Sequence, residues 1–104
     1  MNQERKIVEN TIEVIRETTN LFYQQKAKEA YAKMPDTLTV ITQAVDTLHE
    51  YKCANESFPL EEERIAASLT DALGAMEVGD TVLLSDILEY DFIEYLQELL
   101  SQMN

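Results

Sequence analysis

Between Thr81 and Met103 the apolar residues fall into a column. Leu84, Leu88, Phe92, Tyr95, Leu99 and Met103 are separated by 4, 4, 3, 4 and 4 positions, the spacing of a buried helix face at about 100° per residue. Val82, Ile93, Leu96 and Leu100 form a second stripe beside it, and Ile87 flanks the other side. A helix apolar over so much of its girth needs more than one neighbour, so it is the element around which the others are expected to pack. Asp80 is a good N-cap for it, because its carboxylate can accept orphan amide protons and suits the helix dipole. Gly79 suits the C′ position of the preceding helix, which takes left-handed dihedrals. Gly79-Asp80 therefore reads as a short turn between two antiparallel helices.

Three further periodic stretches precede it. Val8, Ile12, Ile15, Thr19, Phe22 and Ala30 lie on one face of a helix expected from about Gln3 to Lys33, with Ile7, Val14 and Leu21 alongside. At about 46 Å such a helix is longer than its partners, so it either bends at the weak patch Thr18-Thr19-Asn20 or overhangs the bundle with Phe22, Tyr23 and Tyr31. Met34-Pro35-Asp36 is the expected break, since a proline pushes the residue before it out of the α region. A second helix follows from Asp36 or Thr37 to Cys53 or Ala54, with Leu38, Ile41, Val45 and Leu48 inward and Ala44 and Tyr51 beside them. After the connection Asn55–Phe58, Pro59 suits a first helical position, and Glu61, Glu62 and Glu63 load the first turn of a third helix reaching Val78. Its inner face is Ile65, Leu69, Ala72, Leu73 and Met76, and Gly74 inside it is explained either by a close helix–helix approach or by drift. Four helices with short connections make an all-α antiparallel up-down-up-down four-helix bundle with a long first helix, a single domain over residues 1–104.

Charge changes the picture. The net charge is −12, and it is unevenly placed. Residues 1–34 carry six bases against five acids, residues 35–104 carry Lys52 and Arg64 against fifteen acids, and no base follows Arg64. Such a field disfavours nucleic acid and anionic membrane surfaces and favours basic partners. Asp86, Glu89, Asp91, Glu94 and Glu98 in the last helix are too many ionised groups for a membrane span. The one cysteine excludes an intramolecular disulfide framework, and the first residues have no apolar run of a signal peptide; a cytoplasmic protein is expected.

Candidate chemistry is sparse. Asp46, His49 and Cys53 are three metal-capable groups at i, i+3 and i+7 of one helix. A di-metal bundle site needs a second Glu-x-x-His, and a zinc site would need distant carboxylates, so neither a metal nor a cofactor is expected. No phosphate loop, nucleophile elbow or Ser/His/Asp set occurs, and no catalytic residue is assigned. The tyrosines are the better clue, because Tyr suits interfaces that are apolar at one end and wet at the other. Tyr90, Ile87 and Leu83 form an apolar strip off the main column of the last helix.

The run Gly79-Asp80-Thr81-Val82-Leu83-Leu84-Ser85-Asp86-Ile87-Leu88-Glu89-Tyr90-Asp91 resembles the ending of a family of short bacterial helical proteins of unknown function, which reads Gly-Asp, two residues, Leu-Leu, Asp, Leu-Glu-Tyr-Glu. Here Asp91 stands in place of Glu and Ser85 in place of Ala. The resemblance covers about thirteen residues and implies a bacterial cytosolic protein linked to motility genes; it carries no implication about activity. At the level of fold alone the expected bundle also looks like flagellar export chaperones, none of whose motifs is present.

The expectation is a small, acidic, non-catalytic protein-binding module, adaptor or chaperone-like. Its binding groove would be lined by Leu83, Ile87, Tyr90 and the Tyr23/Tyr31 end of the first helix. The partner would be a protein that is basic or presents an amphipathic helix. The alternatives are a metal-binding or enzymatic bundle using Asp46, His49 and Cys53, an acidic mimic of nucleic acid, and a homodimer built on an overhanging first helix.

Overall fold

The computed structural model describes residues 2–103. They form α1 (Asn2–Tyr23), α2 (Ala27–Ala54), α3 (Glu62–Val78) and a C-terminal rod in three continuous pieces: α4 (Thr81–Asp86), a π-helical segment (Ile87–Ile93) and α5 (Glu94–Ser101). No strand occurs among them. The helices run up, down, up and down. Thr18 of α1 meets Thr37 of α2, and Thr11 meets Val40, which is antiparallel register. Arg5 at the start of α1 reaches Leu100 and Met103 at the end of the rod. The rod packs on α1 and on α3, α1 packs on α2, and α2 only brushes α3.

The rod's apolar column is buried as its spacing predicts: Leu84, Leu88, Phe92, Tyr95, Leu99 and Met103 are all in the core. From Leu84 to Met103 the column takes 19 steps in five turns, about 3.8 residues per turn. An α-helix has about 3.6, so along a straight one the column would drift by roughly a quarter turn between Leu84 and Met103. The π segment, whose hydrogen bonds reach five residues back, locally widens the turn and keeps the column facing inward. Its last bond, from the Glu94 amide to the Glu89 carbonyl, shows that reach directly. Ile93 and Leu96 are buried too, whereas Val82, expected in the second stripe, is exposed. It lies in the rod's first turn, beyond the cover of its neighbours.

The first two helices divide elsewhere than expected. The chain turns at Gln24-Gln25-Lys26, and α2 runs unbroken through Pro35. The turn is a left-handed helix stop: Gln25 has φ 61°, the Lys26 amide bonds the Leu21 carbonyl at 2.8 Å, and the Gln25 amide bonds that of Phe22 at 2.9 Å. That double closure is the one usually built on glycine, and its absence from the sequence hid the turn. Pro35 gives no N–H to the carbonyl four residues back, but it is exposed, on the solvent face where a helix wrapping a core already lengthens its hydrogen bonds. The inner face continues across it without a gap: Ala30, Met34, Thr37, Ile41, Ala44 and Leu48, spaced 4-3-4-3-4, are all buried. That unbroken period outweighs the proline. No overhang of α1 exists, and Tyr31 belongs to α2.

Thr18-Thr19-Asn20 lies within the continuous helix α1 and does not break it. Thr18 and Thr37 share a buried hydroxyl–hydroxyl bond of 2.8 Å, while the Thr19 and Thr11 hydroxyls bond carbonyls of their own helix. Small β-branched side chains with internally satisfied hydroxyls let α1 and α2 approach without an orphaned polar group.

The far end of the bundle is tied by side chains. α3 begins at Glu62, and Pro59 stays in the connection. Phe58 and Leu60 plug the core from there, with Phe58 set edge-on to Tyr51 at 4.7 Å. The Lys52 ammonium donates to the Glu56 and Phe58 carbonyls at 2.6 Å each, and the Glu61 amide donates to the Tyr95 hydroxyl at 2.8 Å. Gly79 and Asp80 behave as expected: Gly79 has φ 70°, and the Asp80 carboxylate accepts the Leu83 amide at 3.0 Å. Gly74, in contrast, marks no close approach, since nothing lies within 4 Å of where its Cβ would be, and Leu73 points outward.

Two substitutions test this division of the chain. Gln25→Gly removes a left-handed penalty of about 1–2 kcal/mol at some cost in unfolded-state entropy, and is expected to raise stability by about 0.5–1 kcal/mol in a denaturant titration. Pro35→Ala restores an amide donor inside a continuous helix and is expected to stabilise by up to about 3 kcal/mol; a lowered melting temperature would instead place the break at Pro35.

Candidate functional site

The described residues expose six large apolar side chains, and all come from the end of α1, the second half of α3 and the first half of the rod: Tyr23, Leu73, Val78, Val82, Leu83 and Tyr90. That is the end carrying both tight turns. The rod divides them into two flanks.

On the α1 flank, Tyr23 is 53% exposed and Tyr90 55%. The two phenols are close enough to influence one another: the Tyr23 phenol is held above its ordinary range, first by partial burial and then by the negative charge of Glu89, Tyr90 and Asp86. Below them Phe22, Tyr23, Thr81, Val82 and Asp86 line a groove of about 500 Å³. On the α3 flank, Asp71, Gly74 and Val78 face Leu83, Ile87 and Asp91 across a groove of about 380 Å³. The missing side chain at Gly74 keeps it open.

The strip expected from the rod is therefore split. Leu83 is 46% exposed and lines the α3 groove, but Ile87 is only 5% exposed and forms its floor. Tyr90 stands on the other flank with Tyr23. Tyr31 is half-buried, its ring edge-on to Phe22 at 5.3 Å, and its buried hydroxyl has no hydrogen-bond partner; it packs behind Phe22 on the α1 flank and lines neither of these two grooves. Val78, Gly74 and Asp71 were not foreseen as site residues. The signal for Val78 was its place just before the Gly79 turn, where a helix end runs out of neighbours.

His49 sits at the opposite end. Its Nδ1 lies 2.7 Å from a Glu62 carboxylate oxygen of α3, and its Nε2 lies 3.7 Å from the Cys53 sulfur. Glu62, not Asp46, is its carboxylate partner; Asp46 is exposed. The two ring nitrogens face different neighbours, and no group of three His, Cys, Asp or Glu side chains is placed to hold a metal ion among the described residues. The pair is solvent-exposed on both sides, so it contributes within about 1 kcal/mol to joining α2 and α3.

Electrostatics separates the two halves of the bundle. Several of the bases are spent locally: Arg5 donates to the rod's last carbonyls at 2.8 and 3.1 Å, Lys52 holds the α2–α3 connection, Lys33 pairs with Glu17 at 3.4 Å, and Arg64 lies 4.0 Å over the Tyr95 ring. Residues 65–104 hold eight acids and no base, so both walls of the α3 groove are purely negative. No helix among the described residues is long and apolar enough to cross a membrane.

With this geometry in place, the chain can be set beside known proteins. It is an all-α four-helix protein, and it belongs to the family described as a domain of unknown function, DUF8042, which it matches over residues 1–102. No curated protein and no solved structure matches it.

The raised Tyr23 phenol gives a measurable consequence. Its proton is held in the folded state, so stability from this group is complete below the ordinary phenol range and is lost as pH rises through the folded value. In an NMR titration Tyr23 is expected to ionise after an unperturbed tyrosine, and Asp86→Asn/Glu89→Gln is expected to bring it part of the way back.

Proposed function

We propose that the protein is a non-catalytic protein-binding module, adaptor or chaperone-like. The carrying observation is the gathering of six exposed large apolar side chains at one end of the bundle, since soluble chains keep contiguous apolar surface mainly where something covers it. The partner is another protein. The negative body argues for a basic one, and against nucleic acid and anionic membrane. A cytoplasmic, bacterial setting linked to motility or secretion fits the resemblance of residues 79–91.

The reading is tested by affinity capture from a native lysate with wild type and Leu83→Asp/Tyr90→Ala side by side. Both positions are exposed, so the fold is expected to survive. A protein held by wild type and lost from the variant supports the reading; identical capture by both, or none by either, overturns it.

A metal-binding or enzymatic bundle has one observation in its favour, the Cys53–His49–Glu62 contact. Elemental analysis of purified protein decides it. A stoichiometric metal lost in His49→Ala would move the function to that end of the molecule.

A further inference from the structure

We infer that the groove between α3 and the rod seats an amphipathic α-helix of another protein, one whose apolar face is flanked by lysine or arginine. The inference rests on the protein-binding reading above and names its site and occupant.

The floor of this groove is apolar and the rims are acidic. Ile87, 5% exposed, supplies the floor, the exposed Val78 and Leu83 stand at its two sides, and Asp71 on α3 and Asp91 on the rod complete the lining. An apolar strip bracketed by carboxylates on both sides complements a helix with apolar anchors at i, i+3 or i+4 and i+7 and cationic flanks. No base lies in the chain from Ile65 onward, which includes both walls, and the one base of α3, Arg64, lies over the Tyr95 ring.

Other occupants fit less well. An extended segment would need a strand edge to pair with, and the described residues contain no strand. A second copy would bring the same acidic walls against a body of charge −12. The α1 groove is the lesser candidate, because it is lined by Gln25, Thr81, Ser85 and Asp86 beside its aromatic residues, and Lys26 and Lys28 flank its edge in the chain.

Gly74 is the point of closest approach. It lies mid-helix, where glycine is the poorest helix former short of proline, and no packing neighbour accounts for it. Its missing side chain leaves room for the occupant's ridge. Gly74→Leu therefore separates folding from binding: it places a better helix former in open space, so the protein melts at a higher temperature, while its side chain fills the groove.

The test uses a fluorescein-labelled peptide of about 18 residues, leucines at helical spacing and lysines elsewhere, with a twin in which glutamates replace the lysines. Binding is followed by anisotropy at low and high salt. The lysine peptide is expected to bind wild type, to weaken as salt screens the rims, and to bind Gly74→Leu at least about ten-fold more weakly. Tyr23→Ala/Tyr90→Ala is expected to bind it like wild type, and the glutamate twin is expected not to bind. Equal binding to wild type and Gly74→Leu, or equal binding of the two peptides, overturns the inference. So does a loss confined to the tyrosine variant, which moves the site to the α1 flank and leaves the protein-binding reading intact. Failure of the lysine peptide to bind wild type also overturns it, while the capture experiment decides the broader reading. A wild-type mass in solution twice that of the chain, reduced to one chain in Gly74→Leu, would give the groove to a second copy and likewise overturn it.

Discussion

The apolar column of the C-terminal rod has to face α1 and α3 at once, and most of the structure follows from how that is achieved. Its spacing is slightly longer than an α-helical repeat. The widened turn at Ile87–Ile93 absorbs the difference, so Leu84 at one end and Met103 at the other both reach the core. With the column held inward, α1 lies along one flank of the rod and α3 along the other, while α2 closes on α1. The side chains left over on the rod's first half, Val82, Leu83 and Tyr90, have no fourth layer to cover them. The exposed apolar end is thus a geometric residue of packing two neighbours on one wide helix face.

Charge is distributed by a related logic. Helix and loop ends leave carbonyls unsatisfied, and this protein spends bases on them: Arg5 on the end of the rod and Lys52 on the α2–α3 connection. The remaining bases lie mainly on α1 and α2. After Arg64 the α3–rod half keeps only carboxylates, whose mutual repulsion costs stability. The same arrangement leaves the groove between α3 and the rod with a single sign of charge, which under the proposed reading would steer a cationic partner.

The α1–α2 pair shows local signals losing to periodicity. A proline, the strongest local breaker, lies inside α2, whereas the turn falls at a glutamine in left-handed conformation. Neither choice is locally favourable. Both are offset because the inner face of α2, from Ala30 to Leu48, is continuous only in this register. The threonines that weaken α1 as an isolated helix become its contact surface, with Thr18 and Thr37 bonded to each other across it.

The residue pattern by itself determined the all-α class, the buried column of the rod, the Gly79-Asp80 turn and the lopsided charge, because each depends on spacing or identity within one segment. Leu83 and Tyr90 were legible as outward positions for the same reason. What only the tertiary structure decided was which of two possible turns the chain takes, that Ile87 is floor rather than rim, and that Tyr31 backs a wall. It also decided that Glu62 rather than Asp46 meets His49, and that Gly74 faces open space. These depend on which neighbour stands opposite a side chain. A helical period identifies a face but carries no information about the element that covers it.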